Sequence, residues 1–120
     1  MKVINTLAFA LITLSIQAQE GKINRVEIQT SAVCEMCKDR IEYDLAFEKG
    51  IKFADLNLEN KILTVEYKTG KTSVETIKKR IAKIGYTADE IHRIPISYEN
   101  LPACCKDGAH DDEGHHEEQH

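Results

Sequence analysis

Four cysteines carry the most specific chemistry in this chain, and two of them form the motif Cys34-x-x-Cys37. The motif lies where an alternating, strand-like run ends and a helix-like run begins. A thiol at a helix N-terminus faces unpaired backbone N–H groups and the positive end of the helix dipole, which both favour its thiolate form. Two thiolates separated by two residues can converge on one soft metal ion, or they can close into a disulfide.

The metal interpretation rests on the softness of sulfur, because thiolates select Cu(I), Hg(II) or Zn(II) over Mg²⁺ and Ca²⁺. A structural zinc site takes four ligands, and Cys34 and Cys37 supply only two. The pair therefore favours Cu(I), with Zn(II) and Hg(II) as alternatives. An exposed pair with few ligands also suits metal transfer, because the thiol of an acceptor must reach the ion.

Two other interpretations of the same motif stay open. One is a thiol–disulfide oxidoreductase, which also uses a CxxC at a helix N-terminus. Against it, Pro95 and Pro102 both follow the last predicted strand, so neither can face the motif as a cis-proline from within the fold. The other is a plain disulfide, which an oxidising compartment would allow.

A second group of potential ligands lies near the C-terminus. Its members are the adjacent pair Cys104-Cys105 and four histidines, His110, His115, His116 and His120. Adjacent cysteines make a strained ring when they pair with each other, so they are better suited to sharing a metal or to pairing with other thiols. The histidines lie among acids, which predicts either a solvated acidic tail or a secondary, low-affinity metal collector.

The elements that would position the motif follow from hydrophobic periodicity. Predicted strands cover 23–31, 51–58, 62–67 and either 86–91 or 86–94, and predicted helices cover 35–49 and 72–84. In the first helix Cys37, Ile41 and Leu45 share one buried face. A break in alternation near Ala54-Asp55 indicates a bulge in the second strand.

The helix ends are also marked in the sequence. Thr72 and Glu75 have capping-box spacing at the start of the second helix, while Gly50 and Gly85 are placed to end the two helices. A stripe of large apolar residues, Met36, Tyr43 and Phe47, lies on another side of the first helix. That stripe is interpreted as surface or as cover for a sheet edge, with a docking patch as the alternative.

The resulting order β-α-β-β-α-β predicts an α+β fold, a ferredoxin-like sandwich. Its two helices would lie on one face of a four-stranded antiparallel sheet. In that arrangement the loop after the first strand and the Gly85-Tyr86 loop fall at the same end of the molecule. Cys34 and Cys37 would then lie beside Tyr86, in a mostly exposed loop.

Composition divides the chain into three parts. Lys2 and the apolar run 3–16, closing on Ile16-Gln17-Ala18, predict a signal peptide at 1–18 and a periplasmic or secreted protein. Residues 19–94 would form the domain, which we expect to be a monomer, and 95–120 a C-terminal extension. The net charge of −4 comes with no basic patch, which argues against nucleic acid as a partner.

From about Lys22 to Ile91 the sequence resembles the heavy-metal-associated domain family, which includes the periplasmic mercury-binding protein and bacterial copper chaperones. The matching residues are Cys34-x-x-Cys37, Ile41-Glu42, Leu45, Gly50-Ile51, Leu56-Asn57-Leu58, Val65-Glu66-Tyr67 and Gly85-Tyr86. The resemblance implies a protein that is not an enzyme and that binds Cu(I), Hg(II) or Zn(II) through Cys34 and Cys37.

The resemblance also implies a partner and a supporting residue. In the family the metal passes by ligand exchange to a metal-transporting membrane protein or to another metal-binding domain. Tyr86 matches the loop aromatic near the site in bacterial members. The chain departs from the family at Ser31 and Ala32, where a Gly-Met pair is usual and the Met packs under the loop.

Overall fold

The computed structural model describes residues 21–107, and it contains three strands and three α-helices. In chain order these are β1 (Ile23–Gln29), α1 (Glu35–Ala46), β2 (Ile51–Asn57), β3 (Ile62–Lys68), α2 (Val74–Ile84) and α3 (Pro95–Glu99), followed by a short 3-10 helix, Ala103–Cys105. None of the helices in this part of the chain has the length and apolar character needed to cross a bilayer.

The sheet is antiparallel and has the order β1-β3-β2, so the central strand β3 is paired on both sides. Leu63, Val65 and Tyr67 of β3 alternate with more exposed neighbours and point into the core. Ile28 and Leu56 come from the flanking strands onto the same face, where both are almost fully buried. The period-two pattern of the sequence therefore correctly predicts which side chains form the inner face of the sheet.

Helices α1 and α2 cover this face. Cys37, Ile41 and Leu45 are each fully buried, as their four-residue spacing predicts, and Ile77 and Ile81 of α2 are fully buried as well. The α+β class is confirmed, and the elements follow the predicted ferredoxin-like order from β1 to α2. With the helices on one side, the loop that follows β1 and the loop that follows α2 lie at the same end of the sheet.

Three local predictions are wrong by a few residues. Helix α1 ends at Ala46, before the predicted end at Lys49, because tight turns such as Glu48 N–H to Leu45 O at 3.0 Å already lead the chain towards β2. The bulge lies between Ile51 and Phe53, and it turns Phe53 outward to 47% exposure.

The N-cap residue of α2 is also displaced by one position from the predicted Thr72. Ser73 occupies the N-cap position, and its hydroxyl accepts from the Thr76 N–H at 3.2 Å. Both Thr72 and Ser73 are good capping residues, so the sequence alone leaves two registers of nearly equal merit. The buried positions of the helix select the second register.

The predicted fourth strand is reduced to isolated bridges, in which Ala88 pairs with Thr30 and with Ile91. Asp89 has φ of 48°, so the backbone turns sharply before a ladder can extend. The Asp89 carboxylate accepts the Gln29 N–H at 2.8 Å, replacing a strand partner at the end of β1. Residues 86–91 therefore close the edge of the sheet without adding a full strand.

The segment 95–105 packs against the domain. Leu101 is 5% exposed and Cys105 is 2% exposed, and both belong to the main core cluster. Gly85 ends α2 with φ of 120° and approaches this segment so closely that a Cβ would lie 3.0 Å from the Ser97 carbonyl oxygen. Only glycine suits both the conformation and the approach. We call residues 95–107 the C-terminal cap.

Candidate metal centre

The loop that carries the CxxC motif is fixed by hydrogen bonds on both sides. The Thr30 N–H and hydroxyl both donate to the Lys61 carbonyl oxygen at 2.9 Å, which ties the loop to the β2–β3 turn. The Ser31 hydroxyl accepts the Thr87 N–H at 2.9 Å, and this bond joins the loop to the segment after Tyr86. Ala32 is fully buried beneath the loop. Its small side chain stands where the family usually has Met.

Helix α1 begins directly at the motif. Cys34 is the N-cap residue, with extended backbone angles. Cys37 lies one turn further on, and the two Sγ atoms are 3.1 Å apart. The predicted convergence of Cys34 and Cys37 is therefore present in the geometry, and the structure forms no disulfide among the cysteines at 34, 37, 104 and 105.

The two thiols of the motif differ in burial and in acidity. Burial raises the pKa of the Cys34 thiol to about 11, and its hydrogen bond to Cys37 acts in the same direction. Burial also opposes ionisation of Cys37, but the neighbouring Tyr86 hydroxyl and the backbone at Val33 outweigh it, and the pKa of Cys37 falls below its usual value. Cys37 therefore ionises first and Cys34 keeps its proton longer.

Tyr86 lies beneath the motif, as its position in the loop after α2 predicts. Its side chain is 1% exposed, and its buried hydroxyl lies close to the sulfurs of Cys37 and Cys105. Burial raises the pKa of Tyr86, and its proximity to Cys37 and Cys105 adds to the effect. A protonated hydroxyl here is a donor that a thiolate can use, so the environment fits a negatively charged sulfur.

The expectation of a mostly exposed loop is wrong for Cys37, which is fully buried, whereas Cys34 is half-buried. The physical reason is the helix itself, since Cys37 shares a face with Ile41 and Leu45 that packs on the sheet. Within the motif, Cys34 is the more exposed residue. The motif thus has one partly accessible cysteine and one cysteine held in the core.

The C-terminal pair lies at the same site. The Sγ of Cys105 is 3.7 Å from that of Cys34, and the Sγ of Cys104 is 3.9 Å from that of Cys105. The Cys34, Cys104 and Cys105 sulfurs all lie within 4.8 Å of one another. The Met36 thioether, which sequence reasoning assigned only to an apolar stripe, adds a fifth sulfur, 3.7 Å from Cys104 Sγ.

The histidines of the chain either lie away from this site or fall outside residues 21–107. His110, His115, His116 and His120 fall outside the described residues. His92 is exposed on the segment that follows the bridges. Within residues 21–107, no histidine or carboxylate joins the cysteines in a cluster suited to holding a metal.

The predicted apolar stripe on α1 is exposed beside the site. Met36 is 48% exposed, Tyr43 70% and Phe47 72%, and the rings of Tyr43 and Phe47 meet edge to face with centroids 4.9 Å apart. A shallow groove along this side of α1 is lined by Met36, Tyr43 and four charged residues, Asp39, Arg40, Glu42 and Asp44. The stripe is surface, and it does not cover the sheet edge.

Comparison with known proteins places this geometry in a family. The sequence pattern of the heavy-metal-associated domain matches residues 31–87. The copper chaperone CopZ of Staphylococcus epidermidis is 36% identical over 53 residues, which cover 44% of this chain and 78% of the chaperone. A copper-exporting P-type ATPase of Staphylococcus saprophyticus is 40% identical over 55 residues, covering 46% of this chain but only 7% of the ATPase.

A solved structure agrees with the sequence matches. The N-terminal domain of a potential copper-translocating P-type ATPase from Bacillus subtilis, in its Cu(I)-loaded state, superposes with a TM-score of 0.54 at 29% identity. The superposition covers 57% of this chain and 86% of that domain. The fold, the CxxC position at the start of α1 and these matches agree, and the chain belongs to the heavy-metal-associated domain family.

Proposed function

We propose that this protein is a metal carrier that binds one Cu(I) ion through Cys34 and Cys37 and passes it to another protein by ligand exchange. The observation that carries the proposal is the 3.1 Å approach of the two sulfurs at the start of α1. One of these thiols ionises readily and the other is partly accessible, so the site can both attract a soft cation and present it to an acceptor.

Copper is preferred because of the donor set and the relatives. Sulfur donors suit Cu(I), and no oxygen or imidazole ligand joins the cysteine cluster within residues 21–107. The CopZ chaperone and the ATPase domain are both described as copper proteins. Zn(II) and Hg(II) remain the alternative cargoes for the same sulfurs.

The place of action and the partner are part of the proposal. A signal peptide at 1–18 would direct the mature chain to the periplasm or the outside of the cell. This segment lies outside the described residues. The acceptor would be a metal-transporting membrane protein or another metal-binding domain. The mass of the protein secreted from cells tests the predicted signal peptide, because cleavage after Ala18 would remove a defined mass.

A double substitution tests the ligand assignment. Cys34→Ser with Cys37→Ser should abolish stoichiometric Cu(I) binding in competition with a chromophoric Cu(I) chelator. Because Cys37 is fully buried, the variant's fold is checked by circular dichroism, and Cys34→Ala alone is measured as a milder variant. Glu35→Gln is the matched control, since Glu35 is exposed between the cysteines and its change leaves every sulfur in place. Unchanged Cu(I) affinity in the folded double variant would contradict the assignment.

The oxidoreductase alternative is tested separately. The same CxxC, with a readily ionised Cys37, could in principle reduce a disulfide. We expect the protein to reduce insulin no faster than a simple dithiol at equal concentration, because no histidine or carboxylate joins the cysteine cluster in the described part of the chain. Catalysis well above that level, lost in Cys34→Ala, would favour the oxidoreductase.

A further inference from the structure

The sulfur cluster includes two cysteines that are distant in sequence from the CxxC pair. Cys104 and Cys105 are about 70 residues away from Cys34 in sequence, and the chain brings Cys105 Sγ to 3.7 Å from Cys34 Sγ. Five sulfur atoms then follow one another at contacts of 3.1 to 3.9 Å, in the order Cys37, Cys34, Cys105, Cys104 and Met36.

The spacing of the Cys34, Cys105 and Cys104 sulfurs fits a shared metal ion, whereas the Cys34–Cys37 distance of 3.1 Å would have to lengthen when both bind it. With metal–sulfur bonds of about 2.3 Å, two thiolates on one ion lie about 3.8 Å apart in a tetrahedral site, and slightly further apart in a trigonal one. The Cys34–Cys105 distance of 3.7 Å and the Cys104–Cys105 distance of 3.9 Å match these values closely. Since all three sulfurs lie within 4.8 Å of one another, no large movement of the backbone is needed to bind one ion.

The C-terminal cap is held in place by contacts that do not involve sulfur. Leu101 packs against Gly85, and the Ile94 N–H donates to the Ala82 carbonyl oxygen at 3.1 Å. The Arg93 guanidinium lies 3.5 Å from the centre of the Tyr98 ring and bonds the Asp107 carboxylate at 2.7 Å. These contacts lie on both sides of the cysteine pair, so the pair is positioned before any metal arrives.

We infer that Cys104 and Cys105 are additional thiolate ligands to the ion bound at Cys34, which gives a site of at least three sulfurs closed by the C-terminal cap. The inference rests on the proposed function and deepens it. A two-sulfur site leaves the ion open to an acceptor, whereas a closed site retains it more tightly. Release would then require the cap cysteines to be replaced by the thiols of the acceptor.

The first test is the coordination number of copper in the full-length protein loaded with Cu(I) under reducing, anaerobic conditions. X-ray absorption should show about three sulfur neighbours or more around each copper in the wild type and two in Cys104→Ser/Cys105→Ser. Two sulfurs in the wild type would overturn the inference, whatever the variants do.

The second test is retention of the ion. Cu(I) affinity measured against a chromophoric chelator should fall at least tenfold in Cys104→Ser/Cys105→Ser, while one Cu(I) per chain is still bound. Ala103→Ser is the matched control, because Ala103 is exposed in the same 3-10 helix and its change adds a hydroxyl without removing sulfur. Because Cys105 is buried, Cys104→Ala/Cys105→Ala is measured as well, and circular dichroism confirms that each variant is folded.

The failures of the two proposals are distinguishable. Equal affinity in the wild type and in both folded cap variants, with one Cu(I) lost only in Cys34→Ser/Cys37→Ser, overturns the role of the cap and leaves the proposed function intact. Equal affinity in all of these proteins, including Cys34→Ser/Cys37→Ser, overturns both.

Discussion

Shortening the Leu101 side chain to that of alanine should show whether the C-terminal cap is a structural part of the domain. The Leu101 side chain is 5% exposed, and it packs so closely on Gly85 that a Cβ there would lie 3.1 Å from the Leu101 Cδ1. Leu→Ala changes in protein cores cost about 2–5 kcal/mol. Because the cap lies at one side of the core and can settle into the space, we expect a loss of about 2–3 kcal/mol for Leu101→Ala.

The expected loss is large compared with the stability of a domain of this size. At about 0.05–0.15 kcal/mol per residue, the folded part of the chain is stable by roughly 4–13 kcal/mol. Small domains have urea m-values of about 1 kcal/mol per molar or slightly more. The urea midpoint of Leu101→Ala should therefore lie about 2 M below that of the wild type.

The measurement is urea denaturation of the metal-free, reduced full-length protein, followed by circular dichroism. Ile96→Ala is the control, because Ile96 lies in the same cap but is 61% exposed, and we expect it to change stability by less than about 0.5 kcal/mol. A midpoint in Leu101→Ala equal to that of the control would show that the cap does not unfold with the domain. The placement of Cys104 and Cys105 would then lose its structural support.

Two further predictions concern the groups around the motif. Lys38 bonds the Glu42 carboxylate at 2.6 Å and also donates to a carbonyl oxygen of β2, so Lys38→Ala should lower the free energy of unfolding, measured by urea denaturation, by about 1–2 kcal/mol. The control Lys79→Ala breaks an exposed ion pair and should lower it by less than about 0.5 kcal/mol. Equal losses in the two variants would refute this contrast. Because the pKa of Cys37 is lowered while that of Cys34 is raised to about 11, thiolate absorbance near 240 nm should show one ionisation step at lower pH than an ordinary thiol requires. That step should disappear in Cys37→Ser, and its persistence there would assign the acidic thiol to another cysteine.

The buried faces of the domain could be predicted from sequence because each depends on a strict local period. The four-residue spacing of Cys37, Ile41 and Leu45 and the alternation of Leu63 and Val65 place all five side chains in the core. Such patterns are read within one element and do not depend on what packs against it.

Features set by neighbouring elements could not be predicted in the same way. The predicted fourth strand is reduced to bridges because the chain turns at Asp89. The N-cap of α2 is Ser73 because the buried face of the helix fixes its register. The approach of Cys105 to Cys34 depends on Leu101 packing against Gly85. The short tether before Cys104-Cys105 suggests that the pair could reach back to the loop of Cys34 and Cys37, but no local period fixes a contact between residues so far apart in sequence.

Native mass spectrometry of the full-length protein tests the central claim, the binding of Cu(I) at Cys34 and Cys37, most directly. The reduced protein is offered equal amounts of Cu(I) and Zn(II) without oxygen, with a chelator present to remove weakly held metal. We predict one Cu(I) per chain and no retained zinc, and no retained metal in Cys34→Ser/Cys37→Ser. Zinc retained in preference to copper, or copper retained equally by the double variant, would contradict the claim.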